Sequence, residues 1–105
     1  MKPEPADRFD ATELDDVVHG RVRLGVMAYL AGAGAADFVA LKDHLQTTNG
    51  NLSVHLSKLE DAGYVTLERA IVAKRTRTTV RPTKAGRAAL RAYVERMARL
   101  VDELG

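Results

Sequence analysis

Cysteine and tryptophan are absent from this sequence of 105 residues, and aromatic residues make up only 5% of it. Without cysteine the chain has no disulfide, no thiolate metal ligand and no cysteine nucleophile, which fits a reducing cytoplasm. Because aromatic side chains are so few, leucine, valine and alanine must fill the core. Apolar residues form 46% of the chain, enough for one modest domain.

The sequence also lacks an uninterrupted apolar run long enough to cross a membrane. Its longest mostly apolar stretch, residues 22–41, is broken by Arg23, by glycines and by Asp37. The N-terminal segment MKPEPADRFD has no apolar core and does not resemble a signal peptide. We therefore expect a cytoplasmic protein without a membrane partner.

Charge is strongly segregated along the chain, although the formal net charge is only +2. Residues 1–20 contain six Asp or Glu against two Lys or Arg, whereas residues 69–99 contain ten Lys or Arg against one Glu. A basic half indicates a polyanionic partner, and the alternative is a solvated surface that only keeps the protein soluble.

The first part of the chain is predicted to be a flexible tail followed by helix. Two prolines keep residues 1–11 from forming regular structure. From about Thr12, a possible N-cap, to Leu30 the apolar pattern is helical, with Gly20 as an interruption.

Residues 37–63 are predicted to form a pair of helices joined by a short turn. Asp37 is suited to cap a short helix, and Thr48 is suited to cap a longer one that ends near Gly63. Leucines recur on one face of each helix at helical spacing. This pattern is typical of a helix-turn-helix.

After Gly63 the pattern changes to that of strands, over residues 64–72 and 78–82, around a basic turn at residues 73–77. Two strands around a basic loop form a wing, and a long helix follows to about Leu104. The predicted fold is therefore α+β, mainly α: a winged helix-turn-helix with a two-stranded wing and a long C-terminal helix. Its predicted parts are a DNA-binding domain at residues 12–82 and the last helix at residues 83–105.

Three segments of the sequence together resemble one known family: HGRVRLGVMAYL (residues 19–30), DFVALKDHLQTTNGNLSVHLSKLEDAGYV (37–65) and RTRTTVRPTKAGRAAL (75–90). They are similar to winged-helix transcriptional regulators of the MarR/ArsR type, in particular to the small stand-alone subgroup. The resemblance covers residues 12–104. It implies a homodimer that binds double-stranded operator DNA and regulates transcription, as a repressor.

The second helix of the pair begins with poor helix formers, TTNGN at residues 47–51. Small residues there permit close approach to a major groove, into which helix-turn-helix proteins place the start of this helix. Asn51 can both donate to and accept from a base edge, and Lys58 suits a phosphate. The residues assigned to DNA in this helix are Thr48, Asn49, Gly50, Asn51, Ser53, Val54, His55 and Lys58.

Each of these assignments has a structural alternative. Asn49 and Gly50 suit a turn without any DNA contact, and Val54 could be an exposed valine without a thymine methyl as partner. His55 lies near the buried edge of the helix, a position that favours a packed or half-exposed histidine over a base contact.

Basic residues are dense in the predicted wing, where Lys74, Arg75 and Arg77 lie within four positions. We assign them to a minor groove or to its phosphates, since a merely soluble hairpin does not need such density. Arg21 and Arg23, at the start of the first helix, are further candidates for contact with the DNA backbone.

The last helix carries an apolar stripe with spacings of four and three residues, flanked by charged residues. Part of the stripe must pack on the same domain, and the rest suits the same helix of a second subunit. The alternative is a helix that packs only within its own chain. The residues assigned to dimerisation are Leu90, Tyr93, Val94, Met97, Leu100, Val101 and Leu104.

Catalytic patterns are missing from the sequence. His19, His44 and His55 have no metal-binding spacing, and no glycine-rich phosphate loop follows a strand. We expect no enzyme activity, no cofactor and no metal, and the sequence does not identify a small-molecule effector. The rival to DNA binding is a protein-interaction module whose basic face docks an acidic partner.

Overall fold

The computed structural model describes residues 10–105, so residues 1–9 of the predicted tail at residues 1–11 lie outside the described residues, and its last two residues belong to the cap and start of a helix. A three-residue 3-10 helix at Ala11–Glu13 comes first. The elements that follow are α1 (Arg21–Ala33), β1 (Ala36–Asp37), α2 (Phe38–Leu45), α3 (Asn49–Asp61), β2 (Val65–Val72), β3 (Arg75–Pro82) and α4 (Lys84–Leu104).

The predicted helix-turn-helix is confirmed as α2 and α3, together with both of its caps. The Asp37 carboxylate accepts a hydrogen bond from the Val39 N–H at 2.8 Å. The Thr48 hydroxyl accepts one from the Asn51 N–H at 3.1 Å. Each cap satisfies a backbone donor that has no partner within its helix. Gly63, with φ of 80°, ends the second helix in the left-handed conformation as its sequence position predicts.

The core lies between the first three helices and the inner face of the sheet. Leu30 of α1, Leu41 of α2 and Leu52 of α3 are fully buried, as is Val80 of β3. The leucine stripe of α3 faces this core, so its opposite side remains exposed. Burial therefore fixes which face α3 can present to a partner.

The sheet is antiparallel with the strand order β1-β3-β2. Val72 pairs with Arg75, so the hairpin turn consists only of Ala73 and Lys74. The predicted turn at residues 73–77 is thus wrong, because threonines at alternate positions extend β3 towards the tip. The two-residue β1, which pairs with β3, was not predicted.

The hairpin turn places two non-glycine residues at positive φ, with 50° at Ala73 and 66° at Lys74. Tight hairpins of this kind favour asparagine or glycine there, since other side chains are strained. We expect Ala73→Asn to raise the free energy of unfolding by about 0.5 kcal/mol. Urea denaturation measures this change, and a lower stability of the variant would contradict the turn geometry.

The predicted helix from Thr12 to Leu30 is wrong in its first part. Asp10, not Thr12, caps the 3-10 helix, and its carboxylate accepts from the Thr12 N–H at 2.9 Å. Residues 14–20 are not helical, and α1 begins only after Gly20, whose φ of 135° no helix contains. We call residues 10–20 the strap, because this segment joins α1, α4 and the start of β2, which we call the wing base.

The last helix, α4, has 21 residues and begins at the predicted cap, where the Thr83 hydroxyl accepts from the Gly86 N–H at 3.0 Å. Its first half packs against α1, and the chain extends over 66 Å along its longest axis. Within residues 10–105, no helix combines the length and apolarity needed to cross a membrane.

Candidate nucleic-acid interface

The outer face of α3 is exposed along its first three turns. Asn49, Gly50, Asn51 and Ser53 are exposed, and the Val54 side chain is 54% accessible although it is apolar. Lys58 continues this face one turn further. The structure therefore brings the predicted residues of α3 onto one side of the molecule, with small side chains at the helix start.

One edge of this face looks across a cleft of about 370 Å³ towards the wing. Ser53 and Ser57 line the cleft from α3, and Arg69 and Thr78 line it from the two wing strands. Three hydroxyls and a guanidinium thus converge where a polyanion lying on α3 would pass the wing.

Arg69 is absent from the predicted DNA contacts. Strand alternation could have identified it, because Val65 and Leu67 point towards the core and Arg69 follows with the same parity. Beyond the edge of the core, that side of the strand faces the cleft beside α3, so Arg69 lines this cleft. Within residues 10–105 the Arg69 guanidinium forms no ion pair.

The cations of the wing differ in their pairing. Arg77 lies 3.2 Å from the Asp37 carboxylate, and Arg81 lies 2.7 Å from that of Glu68. Lys74 and Arg75, at the tip, are exposed and form no ion pair with any described residue. The tip therefore carries the uncompensated charge, and Arg77 is partly neutralised by its partner.

The other edge of α3 carries Asn51, His55 and Lys58 at helical spacing. The Asn51 side-chain amide donates to the Thr47 hydroxyl at 2.7 Å, which orients it at the helix start. His55 is half-buried, and its Nδ1 lies 3.1 Å from an Arg23 guanidinium nitrogen. Burial lowers the pKa of His55, and the positive charges of Arg23 and Lys58 lower it further.

Arg21 and Arg23, the further candidates for contact with the DNA backbone, both donate hydrogen bonds within the protein. Arg21 donates to the Leu45 carbonyl at 3.1 Å, where it satisfies an acceptor at the end of α2. Arg23 donates to the Val17 carbonyl at 2.6 Å and so holds the strap. The Arg23 guanidinium is therefore committed to the protein itself, whereas Arg21 uses one nitrogen in this way and remains exposed.

The strap is fastened to the wing base by a tyrosine–aspartate pair. The Tyr64 hydroxyl donates to the Asp15 carboxylate at 2.5 Å. Burial raises the pKa of Asp15, but hydrogen bonds from Tyr64 and from the backbone lower it more, so the group stays ionised. The hydrogen bond to Asp15, burial and the Asp15 charge raise the pKa of Tyr64 to about 12.

The residues assigned to dimerisation range from buried to exposed. Tyr93 is only 6% exposed, and its hydroxyl lies 2.8 Å from His19 Nδ1, so its own chain occupies this side chain. Leu90, Met97 and Leu100 are half-buried. Three side chains on the outer half of α4 are exposed: Val94, Val101 and Leu104.

No group of three or more His, Cys, Asp or Glu side chains in residues 10–105 is arranged to hold a metal ion. The titratable contacts join the strap to the domain, adjoin α3 or pair charges on the sheet. The candidate interface offers hydrogen-bond donors, hydroxyls and cations around an exposed helix.

A helix-turn-helix followed by a two-stranded wing and a long helix defines the winged-helix class. The family model of the winged helix DNA-binding domain matches residues 22–101 of this chain. A curated relative, an uncharacterized protein of Methanocaldococcus jannaschii, is 35% identical over 79 residues, which span 75% of this chain and 86% of that protein.

Solved structures agree with the family match. A transcriptional regulator homologue from Pyrococcus horikoshii OT3 has a TM-score of 0.78 and 31% identity, with 84% of this chain and 87% of that chain covered. NadR in complex with 4-hydroxyphenylacetate shares the fold, with a TM-score of 0.70 at 22% identity, over 89% of this chain and 65% of its own. An ArsR family transcriptional regulator shares it at 0.61 and 18%, with 97% of each chain covered.

The chain therefore belongs to the winged helix DNA-binding domain family. The resemblance to winged-helix transcriptional regulators inferred from its sequence is confirmed. Double-stranded DNA is the partner that this family membership supports.

Proposed function

We propose that this protein is a homodimeric, sequence-specific repressor of transcription that acts in the cytoplasm. In each subunit α3 enters the major groove, and the wing tip meets the adjacent minor groove or its phosphates. The observation that carries the proposal is the cleft in which small polar α3 residues face the unpaired Arg69 of the wing, with two more unpaired cations at the exposed wing tip.

Position and charge indicate which residues contact base edges and which contact phosphates. Asn49, Asn51, Ser53 and Val54 can approach base edges because no large side chain stands in front of them. Thr48 and Gly50 complete the helix start, where backbone N–H groups favour a phosphate.

Cations flank this exposed face of α3 on both sides. Lys58 lies at one edge, and Arg69, which lines the cleft beside α3, lies at the other. Lys74 and Arg75 are at the exposed wing tip, and Arg77 is on the hairpin face opposite Arg69, where it pairs with Asp37. The two phosphate backbones of a duplex border its major groove. Cations on both sides of α3 therefore match the charge of a duplex.

A basic face that docks an acidic protein is the rival function. Both can be compared by fluorescence anisotropy of a labelled duplex at about 150 mM salt, with polyglutamate as competitor. The proposed function predicts that binding survives excess polyglutamate and still discriminates between duplex sequences. Displacement by polyglutamate as readily as by unlabelled duplex would favour the rival.

The exposed half of α4 supports a homodimer. Val101 is 64% exposed and Leu104 is 78% exposed, and Val94, about two and three turns before them, is exposed as well. Ala31 of α1 borders Leu90 and Val94 in a cleft of about 390 Å³, so the apolar surface continues onto a second helix. A second copy of this helix pair is the occupant that fits a self-complementary apolar face.

The dimensions of the chain agree with this proposal. Its radius of gyration is 16.3 Å, whereas about 13 Å is typical of a compact domain of this length. The chain is elongated, with extents of 66, 25 and 21 Å, and exposed apolar surface on such a chain is stabilised when a partner covers it.

We expect Val101→Asp to weaken self-association by about 100-fold, since a charge would be buried in an apolar interface. The monomer fold should be unaffected because the side chain is exposed. Ala92→Asp, on the opposite face of the same helix, is the matched control. Sedimentation equilibrium measures both, and a monomeric wild type or equal behaviour of the two variants would contradict the dimer.

A further inference from the structure

Arg23 joins the strap to α3 through contacts of all three nitrogens of its guanidinium. Its Nε donates to the Val17 carbonyl at 2.6 Å, and Nη2 donates to the carbonyls of Asp16 at 3.3 Å and His19 at 3.2 Å. The remaining nitrogen, Nη1, lies 3.1 Å from Nδ1 of His55 on α3. Three strap carbonyls therefore fix the plane of the guanidinium, and that plane fixes the direction of the fourth contact.

The Arg23–His55 contact determines the protonation pattern of the imidazole ring. A guanidinium can only donate hydrogen bonds, so His55 Nδ1 must be the acceptor and carries no proton. A neutral imidazole then holds its single proton on Nε2.

The charges around His55 keep the ring neutral. Arg23 faces it from α1 and Lys58 faces it from its own helix, and both disfavour the imidazolium form. Two carboxylates, Asp16 and Asp61, line the adjoining cleft with Arg23 and Lys58 and balance these cations in part. His55 nevertheless has a pKa below its ordinary value, with burial as the largest cause.

The other ring nitrogen of His55 is available to a ligand. Nε2 forms no hydrogen bond with any residue in the range 10–105. His55 lies between Asn51 and Lys58 along one edge of α3, on the border of the face offered to DNA. A donor at this border would meet hydrogen-bond acceptors, which purine N7 atoms and phosphate oxygens both supply.

We propose that Arg23 is a positioning residue for DNA recognition, which holds His55 Nδ1 as an acceptor so that Nε2–H is presented as a donor to the duplex. The inference rests on the proposed function for its ligand, but the Arg23–His55 geometry exists in the free protein. Arg23 acts through His55 and does not itself contact DNA. The strap thereby becomes part of the recognition apparatus, although none of its own side chains is assigned to DNA.

The first experiment examines the free protein by long-range 1H–15N correlation of the imidazole rings of the full chain near neutral pH. His55→Asn assigns the His55 signals. We expect a proton only on Nε2 in the wild type, and in Arg23→Met a mixed tautomer with a titration midpoint shifted to higher pH. A proton on Nδ1, or the same tautomer and midpoint in both proteins, would overturn the proposal.

The second experiment measures duplex affinity in a double-mutant cycle with Arg23→Met, His55→Ala and both together. We expect each variant to bind about tenfold more weakly than the wild type, and the double variant to bind no more weakly than His55→Ala. The dependence of affinity on salt should be unchanged by Arg23→Met, whereas Lys58→Met, the control, should reduce its slope by about 1. Multiplied losses, or a reduced slope for Arg23→Met, would mean that Arg23 contacts phosphate directly.

The two acceptor classes are separated on the duplex itself. If His55 donates to a base, 7-deazapurine substitution removes the difference between wild type and His55→Ala, and if it donates to the backbone, a neutral methylphosphonate does so. Either result supports the proposal, and persistence of the difference under both modifications contradicts it. Absence of any duplex binding together with the expected tautomer would reject the proposed function and leave the Arg23–His55 geometry standing.

Discussion

Gly86→Ala is expected to lower the free energy of unfolding by about 3 kcal/mol, because a single methyl group does not fit where α4 crosses the wing base. A Cβ at this position would lie 2.1 Å from the Tyr64 carbonyl oxygen and 2.9 Å from the Met27 Cε. The nearer atom belongs to the backbone and cannot rotate away. The whole helix would have to move.

Movement of α4 would also break contacts that fix its start. The Tyr64 carbonyl accepts from the Thr83 N–H at 3.0 Å, and the Thr83 hydroxyl donates to the Gly63 carbonyl at 2.6 Å. Both bonds depend on the close approach that Gly86 permits. The predicted loss therefore includes steric strain and weakened hydrogen bonds.

Gly32→Ala supplies the matched control, since it makes the same substitution inside α1. Nothing lies within 4 Å of a Cβ there, so we expect a gain of about 0.5–1 kcal/mol from helix propensity alone. Urea denaturation followed by far-UV circular dichroism measures both variants. Stability changes of the same sign would contradict the packing at Gly86.

Neutralising the wing tip, with Lys74→Gln and Arg75→Gln together, is expected to weaken duplex binding by about 100-fold at physiological salt. These side chains form no ion pair within residues 10–105, so their charge is available to phosphate. The loss should be similar for every duplex sequence, since phosphate contacts carry no base information. The slope of log affinity against log salt should fall by about 1.8.

A control with the same change in net charge separates a local contact from a general field. Lys84→Gln with Arg99→Gln removes two exposed cations from α4, and we expect less than a threefold loss because long-range attraction is screened. Asn51→Ala should act differently again, by reducing the preference for one sequence over another. Equal losses for the wing and α4 pairs would mean that the basic half acts only as a diffuse positive field.

The elements that the sequence predicted well are those specified by local chemistry. The α3 helix has a threonine cap, a leucine stripe and a terminal glycine within 16 residues, and each acts through neighbours in the chain. The same holds for the cap of α4. Local signals of this kind need no knowledge of the tertiary structure.

The strap shows what sequence patterns could not supply. Asp15 is 49 positions from Tyr64, and His19 is 74 positions from Tyr93, so neither pair leaves a periodic signal. The apolar residues before Gly20 resembled a helix, but tertiary hydrogen bonds from Arg23 hold them in another conformation. Tertiary contacts overrode a weak local preference there.

The sequence predicted some features of the wing and not others. Its strands and basic character were predicted, whereas the two-residue turn and the role of Arg69 depend on register, which a single strand pattern does not determine. Pairing of Arg77 with Asp37 was likewise invisible in the sequence. Register therefore decides which of the clustered cations remain free for a partner.

Selection from a randomised duplex library at about 150 mM salt tests the central claim most directly, because weak electrostatic attraction is suppressed there and base contacts must contribute. The proposed dimer with α3 in the major groove predicts enrichment of an inverted repeat whose half-site centres lie about 10 base pairs apart. Binding at low salt without enrichment of any sequence would contradict it and would leave the basic face as a general polyanion surface.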